Sequence, residues 1–361
     1  MRVVVEGLPI TGDSLAIVVD GLLHGWQSLG VDDLHLVTSR RAQLDIPDGV
    51  TVHWVDLSRQ FTARRLLAQN VVVPKICRQL KPDALVGVLP TTTIAPLPCP
   101  RAVILYDLRH EILPQQFSPR ALRLRTWSYN IGFRQADAIV AISERSRNDL
   151  LRSRPWLDPR RVGVGYLAAD HTDSWPKSVV PEDERYAVAF GHYANKNVPT
   201  LLEAWALLRD EGRAPLRLQL FGVPSDYRAV VVAKIAELDL GDLVTPLPWL
   251  DAADMHARFA SSSLVVFPSE FEGFGMPAAE AMRLRIPLVI SPDPALVEVA
   301  GGHAAVMAGW SSRDLAEAIG QAMQSTEAEL ASAAEFAQRY TWANMARSLH
   351  DMLEYAVANP K

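Results

Sequence analysis

Two glutamates at a fixed spacing are the residues of this sequence that best fit chemistry on a sugar or a phosphate. Glu272 and Glu280 begin and end the nine-residue string EGFGMPAAE. The apolar run LVVF at 264–267 precedes this string, and a helix-favouring segment starts within it. The pattern predicts a strand-to-helix turn. In a parallel sheet such a turn lies at the carboxyl end of the strand, where ligands bind.

The residues between the two glutamates favour an anion. Gly273 and Gly275 permit close approach of a ligand to the backbone, and Pro277 fits the first turn of a helix, where its missing N–H is not needed. The N–H groups at a helix start attract phosphate, and each carboxylate accepts several hydrogen bonds from hydroxyls. The string therefore predicts a site for a phosphorylated sugar. The alternative is a surface loop with two solvated glutamates. That alternative would fit a single glutamate better than it fits the complete nine-residue string.

A lysine in another turn fits the same chemistry. Lys196 lies between a predicted strand at 186–190 and a predicted helix. A cation beside a helix N-terminus opposes the helix dipole, and a diphosphate bound between the two makes the same charge favourable. Lys196 is therefore a candidate phosphate ligand, and a plain surface lysine is the alternative.

Composition indicates an ordinary globular protein. The 361 residues are enough for two domains, and 49% of them are hydrophobic and 21% charged. We expect no signal peptide, because Met1 is followed at once by a strand-like run, and no apolar run reaches the roughly 18 residues of a membrane span. Cys77 and Cys99 show neither metal-ligand spacing nor a disulfide framework, which favours a cytoplasmic location. The net charge of −5 gives no reason to expect nucleic acid.

Arginine is unevenly distributed. The chain has 30 arginines and 6 lysines, and 12 of the arginines lie within 101–161 beside 6 acidic residues. Genomic base composition explains such usage without any function. The local excess also suits phosphate groups or the inner face of an anionic membrane, because guanidinium groups bind phosphate oxygens in pairs.

Strand-like and helix-like segments alternate along the chain, which predicts an α/β fold with parallel sheets. The alternation stops where the sequence becomes polar and proline-bearing, and this stretch is predicted to be a linker. The predicted parts are an N-terminal domain at 1–169, the linker at 170–185, a C-terminal domain at 186–340 and a closing helix at 341–361.

These motifs resemble those of the retaining glycosyltransferases of family 4, in the mannosyltransferase-like branch. The resemblance implies the GT-B fold, in which two Rossmann-like domains face each other, a nucleotide-sugar donor binds in the cleft between them and the C-terminal helix crosses back to the N-domain. It implies that Glu272 contacts the donor sugar and Glu280 the nucleotide ribose. The donor-binding residues that it implies are Gly12, His192, Lys196, Phe274, Gly275, Met276, Pro277 and Glu280.

The sequence departs from the family pattern at three places. His192 stands where an arginine is usual beside the phosphates. Gly12 is followed by Asp13, an acid that would repel a diphosphate unless it points away or caps the helix. Tyr106 replaces a histidine in the run at 106–114, and the resemblance makes Asp107 and His110 candidate catalytic residues on the acceptor side. For these two residues a turn cap and a solvated loop histidine are the alternatives.

The resulting prediction is a hexosyltransferase that moves a sugar from a nucleotide-diphosphate donor to an acceptor hydroxyl with retention of anomeric configuration. No metal or other cofactor is expected, because the lysine and the helix N–H groups can offset the charge of the leaving diphosphate. A small molecule, a glycan or a lipid-linked sugar is the expected acceptor, with peripheral membrane contact as a further partner. The alternatives are a sugar-nucleotide epimerase of the same fold and a non-catalytic sugar-nucleotide-binding protein.

Overall fold

The structure is a computed structural model that describes residues 1–11, 14–30, 32–57, 61–213 and 216–359. Its contacts divide the chain into two compact units. The first unit contains Met1–Ala168 together with Tyr340–Lys361, and the second contains Ala169–Arg339.

The first unit is built on a seven-stranded parallel sheet with the order β3-β2-β1-β4-β5-β6-β7. Apolar residues occupy successive positions of its central strands and are buried, as expected for a sheet covered on both faces. The strands are β1 (Arg2–Glu6), β2 (Asp33–Thr38), β3 (Thr51–Trp54), β4 (Ala84–Gly87), β5 (Arg101–Leu105), β6 (Ala138–Ala141) and β7 (Val162–Val164). The helices between them are α1 (Ser14–Leu29), α2 (Phe61–Leu80), α3 (Arg109–Ile112), α4 (Pro119–Gln135) and α5 (Glu144–Ser153).

The second unit has a six-stranded parallel sheet with the order β10-β9-β8-β11-β12-β13. Its core is centred on Trp205, which is fully buried and donates its indole N–H to the carbonyl of Leu216. The strands are β8 (Tyr186–Phe190), β9 (Arg217–Phe221), β10 (Val244–Pro246), β11 (Leu264–Phe267), β12 (Leu288–Ile290) and β13 (Ala305–Val306). The helices are α6 (Val198–Asp210), α7 (Ser225–Glu237), α8 (Ala252–Ala260), α9 (Met276–Arg283), α10 (Pro294–Ala300), α11 (Ser312–Ala322) and α12 (Glu327–Ala337).

The last helix, α13 (Trp342–Ala358), belongs to the first unit and packs on α1. Two glycines on one face of α1 permit this contact. A Cβ added at Gly21 would overlap the indole of Trp342, and one added at Gly25 would lie 2.5 Å from the carbonyl oxygen of Trp342. In the middle of α13, Nδ1 of His350 lies within hydrogen-bond distance, 2.7 Å, of the buried carboxylate of Asp32. Small residues and this contact therefore fix α13 to the start of the first unit.

The segment 170–185, predicted to be a linker, lies inside the second unit. It opens with a short 3-10 helix, Asp170–Ser174, and the side chains of Thr172 and Trp175 are buried. No periodic pattern marks this segment in the sequence, because its contacts are made by single side chains rather than by one face of a helix or strand. Part of the predicted linker therefore packs into the second unit and belongs to its structure.

Candidate active site

Two loops of the second unit meet at the carboxyl edge of its sheet. They follow β8 and β11, which are neighbours in the sheet with Leu264 opposite Ala187. Asn195, in the first loop, is buried and donates its side-chain N–H to the carbonyl of Phe271 at 2.9 Å. The backbone carbonyl of Asn195 accepts from the N–H of Glu270 at 2.8 Å. These two bonds hold the loops together, so protein contacts alone fix their relative position.

Lys196 and Glu272, predicted separately, form an ion pair between these loops. Lys196 Nζ lies 2.7 Å from Glu272 Oε1, and the two side chains are 8% and 15% exposed. The ammonium also lies 4.4 Å from the centre of the Phe267 ring, within cation–π distance. Removing one member of such a pair strands a buried charge, which commonly costs about 3–5 kcal/mol. An anion that takes the place of the carboxylate on the ammonium would avoid leaving that charge unpaired.

The start of α9 lies directly after this pair. Gly275 has φ +92° at the N-cap position of the helix, and Pro277 lies in the first turn, as the sequence predicts. A Cβ on Gly275 would overlap Leu296 and lie 3.3 Å from Phe267. Phe274 and Met282 are buried and anchor the turn and the helix. The first N–H groups of an α-helix lack intrahelical acceptors. Here Pro277 has no N–H and the N–H of Ala278 bonds to the carbonyl of Gly275 at 2.9 Å, so the candidate donors of this turn are the N–H groups of Gly275 and Met276.

Glu280 lies in the second turn of α9 and is 7% exposed. Its Oε1 is 3.0 Å from Nε2 of His171, a residue of the segment predicted to be a linker. The ring of Trp175 contacts His171 edge-on at 5.5 Å and stacks on His256 at 4.2 Å. Burial lowers the pKa of His256, and the negative charge of Glu280 acts in the opposite direction. His171 is thus a neighbour of the candidate ribose ligand that no local sequence pattern identifies.

His192 lies in the loop after β8 among aromatic rings. Its ring centre is 4.7 Å from that of Tyr193, 5.3 Å from that of Trp249 and 6.0 Å from that of Phe190. The side chains of Tyr193 and Trp249 are largely exposed. His192 is therefore part of an aromatic group at the same edge of the sheet, and its role as a phosphate ligand stays a prediction.

The candidates of the first unit lie after β5. Asp107 Oδ1 accepts from the N–H of Arg109 at 2.8 Å, which matches the turn cap named above as its alternative role. His110 is fully buried, packs edge-on against Tyr129 at 5.0 Å, and its Nε2 lies 3.4 Å from Glu111. A solvated loop histidine is therefore wrong for this position. A catalytic role would also require His110 to become exposed, because an imidazole enclosed in this way touches no substrate.

Glu111, the residue after His110, is held by Arg154. Its carboxylate accepts two hydrogen bonds of 2.5 and 2.7 Å from the guanidinium of the buried Arg154. Burial raises the pKa of Glu111, but the hydrogen bonds and charge interactions with Arg154 and His110 together outweigh burial and bring that pKa to about 2. The pair fixes α3 against the end of α5.

Some predictions fall beyond these observations. Gly12 and Asp13 lie outside the described residues. Among the residues that the structure describes, no group of three or more His, Cys, Asp or Glu side chains is arranged to hold a metal ion. In the same residues, no helix has both the length and the apolar character needed to cross a bilayer.

The two sheets and the place of the site define a class of protein. Parallel sheets in two units, with the last helix returned to the first unit, are the GT-B fold of glycosyltransferases. The solved structure of sucrose-phosphate synthase from Thermosynechococcus elongatus aligns with a TM-score of 0.76 over 99% of both chains. Its sequence is 14% identical to this chain, so the likeness establishes the fold alone.

Sequence comparison adds a likeness of the second unit. Residues 171–339 match the profile described as glycosyl transferases group 1, and this match spans nearly the whole of that unit. The MMP alpha-(1->4)-mannosyltransferase of Mycolicibacterium hassiacum is 32% identical over 168 residues, which are 46% of this chain and 40% of that relative. The O-antigen chain mannosyltransferase B of Escherichia coli is 27% identical over 258 residues, 68% of each protein. The chain thus spans less than half of the first relative and about two thirds of the second.

Proposed function

We propose that this chain is a glycosyltransferase that moves a hexose from a nucleotide-diphosphate donor to an acceptor hydroxyl, with retention of anomeric configuration. Its donor binds at the carboxyl edge of the second sheet. The observation that carries the proposal is the ion pair between Lys196 and Glu272 beside the start of α9. A cation, a carboxylate and helix N–H groups at one edge are the groups that a diphosphate linked to a sugar requires.

The pair gives each residue a role. The donor diphosphate takes the place of the Glu272 carboxylate on Lys196 Nζ, and the released carboxylate then accepts hydrogen bonds from the sugar hydroxyls. As the bond from the anomeric carbon to the diphosphate breaks, negative charge grows on the leaving oxygen. Lys196 and the N–H groups at the start of α9 offset that charge. No metal is needed for this balance.

The other residues complete the donor site. Glu280 accepts hydrogen bonds from the ribose hydroxyls and is held by His171. The backbone of Phe274, Gly275, Met276 and Pro277 faces the diphosphate. Asp107, on the first unit, orients the acceptor hydroxyl. Because the names of both relatives describe mannosyl transfer, mannose is the first donor sugar to test.

Donor binding is the first experiment. The purified chain is heated with GDP-mannose and with UDP-, dTDP- and ADP-sugars, in the presence of EDTA, and the midpoint of thermal unfolding is recorded. A ligand at 100 times its dissociation constant adds about 2.7 kcal/mol to the unfolding free energy. Lys196→Met should weaken binding by about 10- to 100-fold, because it removes a hydrogen bond to a charged group. Lys234→Met is the matched control, since Lys234 lies on α7 and pairs with Glu237.

The carboxylate has a distinct signature. Glu272→Gln should leave binding of the free nucleoside diphosphate unchanged or tighter, because a negative charge beside the phosphates is lost, and should weaken the nucleotide sugar. Equal weakening of both ligands by Glu272→Gln would contradict its assignment to the sugar. If no nucleotide sugar stabilises the folded wild type, the donor site itself is refuted and a non-catalytic role takes its place.

Transfer is the second experiment. The bound donor is incubated with mannosides and with lipid-linked sugars, and the anomeric configuration of the product is read by NMR. Retention gives a product with the configuration of the donor. Donor incubated alone must stay unchanged, because conversion to an isomer would identify an epimerase instead.

A further inference from the structure

Helix α4 turns an unusual face to solvent. Four of its side chains, Arg120, Arg123, Leu124 and Trp127, are exposed and line one shallow depression. Leu124 is 62% exposed and Trp127 61%. These positions are spaced by three and four residues, so they share one face of the helix. We call this set the α4 face.

The opposite side of α4 is the one that packs on the first unit. Phe133 is fully buried there, and Gly132 lies so close to the carbonyl of Pro90 that no Cβ fits between them. Tyr129, on the same side, packs on Phe133 with ring centres 5.8 Å apart. The apolar residues needed for folding are thus already used, and Leu124 and Trp127 are additional to them.

The charged residues of the α4 face are all basic. The helix contains four arginines and no acidic residue. In the described part of the chain, neither Arg120 nor Arg123 has an ion-pair partner. The six acidic residues of 101–161 bind groups outside α4. Asp107 and Asp137 accept hydrogen bonds from the backbone N–H groups of Arg109 and Arg101. The other four form ion pairs with arginine side chains: Glu111 with Arg154, Glu144 with Arg147, Asp149 with Arg145 and Arg152, and Asp158 with Arg160.

A second exposed tryptophan extends the same surface. Trp156 is 46% exposed, and the guanidinium of Arg134, at the end of α4, lies 4.7 Å from its ring centre. Arginine stacked beside tryptophan presents a cation and an amphipathic ring together. Tryptophan rings of this kind are enriched at the level of lipid headgroups.

We propose that the α4 face docks the protein on an anionic lipid surface. The arginines contact lipid phosphates, and Leu124 and Trp127 enter the boundary between headgroups and acyl chains. Several arginines with exposed leucine and tryptophan on one helix face, and no carboxylate, match the charge and the polarity of that boundary. Lipid docking of this kind does not depend on the donor site, since every residue that takes part lies on the first unit.

Vesicle binding tests this proposal. The whole chain is sedimented with phosphatidylcholine vesicles and with vesicles that contain about one third phosphatidylglycerol. The wild type should bind the anionic vesicles, and raising salt from about 0.1 M to about 0.5 M should weaken that binding. Arg120→Glu with Arg123→Glu should reduce affinity by at least about 25-fold, since each arginine near such a surface contributes about fivefold.

A matched control separates the face from general charge. Lys75 and Arg78 lie on α2 with the same spacing of three and are exposed. Lys75→Glu with Arg78→Glu therefore makes the same charge change elsewhere on the first unit and should lose much less binding. Leu124→Ser with Trp127→Ser keeps the charge and should still weaken binding by at least about tenfold. Circular dichroism of each variant confirms that it is folded.

Three results of the vesicle assay, and one of size-exclusion chromatography, would overturn the proposal. The first is equal binding of the wild type to neutral and anionic vesicles. The second is an equal loss in the α4 and α2 charge variants, and the third is unchanged binding of the Leu124 and Trp127 variant. If the wild type is instead a dimer in size-exclusion chromatography and the α4 variants are monomers, a second copy of the chain occupies the face, and the lipid proposal is again refuted.

Discussion

Gly275 shapes the start of α9, which is part of the proposed donor site, and the effect of its replacement can be worked out in detail. Its φ of +92° is costly for any residue with a Cβ, and a left-handed conformation costs about 1–2 kcal/mol in L-residues. The added Cβ would also lie well under 3.0 Å from Leu296, a side chain that is fully buried. Overpacking of a core typically costs about 1–3 kcal/mol more. Gly275→Ala should therefore destabilise the second unit by about 2–5 kcal/mol.

Two other glycines of the second unit separate the two contributions. Gly302 has φ +87° with nothing within 4 Å of an added Cβ, so Gly302→Ala should show the backbone cost alone. Gly241 has neither feature, and Gly241→Ala should change stability by less than about 0.5 kcal/mol. Leu296→Ala alone should cost about 2–5 kcal/mol through the cavity that it leaves, and combined with Gly275→Ala it should cost less than the sum of the two single changes, because the overlap is then relieved.

Hydrogen exchange measured on peptides from β11 and β12 reads the second unit by itself. A loss of about 3 kcal/mol makes the slowest amides of these strands exchange about 100-fold faster. Gly275→Ala should exceed Gly302→Ala by the overlap cost. If the two variants exchange at the same rate, the close packing of Leu296 against this turn is not a real constraint, and the reasoning about the start of α9 fails.

Two further predictions concern the first unit. Burial raises the pKa of Glu6 from 4.5 to about 7, although hydrogen bonds from Gln69 act in the opposite direction. Because the folded protein binds this proton more tightly than the unfolded chain does, the contribution to stability is full below pH 4.5 and is lost as pH rises through 7. Glu6→Gln should therefore remove up to about 3 kcal/mol of pH dependence from urea unfolding between these limits, and an unchanged slope would contradict this. Gly25→Ala should separate α13 from α1 and cost about 2–4 kcal/mol, with faster hydrogen exchange in α13. Undisturbed exchange there would show that the close approach to Trp342 is not required.

The sequence allowed the order of elements and the centre of the site to be predicted. The strand expected at 186–190 and the apolar run at 264–267 are strands with those bounds in the structure, because apolar residues fill each of them. The lysine turn and the glutamate string could be located for the same reason, since each follows a short apolar strand. A resemblance to a family then assigned roles to residues that local patterns could only mark as polar.

The rest depends on contacts between residues distant in sequence. Lys196 and Glu272 are 76 positions apart, and nothing local indicates that they bind each other. His171 lies 109 positions before Glu280 in a segment without pattern, so it was assigned to a linker. For His110 the sequence left a catalytic residue and a solvated loop histidine open, because the rings that pack on it, Phe117 and Tyr129, come later in the chain. Sequence patterns describe one element at a time, and these three facts belong to pairs of elements.

The attachment of α13 to α1 affects the order in which the protein can form during synthesis. Asp32 and His350 are 318 residues apart, so the first unit closes only after nearly the whole chain has left the ribosome. The second unit is continuous in sequence and has all of its strands available earlier. Domains generally fold as units, from the amino terminus onward. In this chain the first unit stays unfinished, with the glycine face of α1 uncovered, until α13 is available, and the continuous second unit can fold before that point.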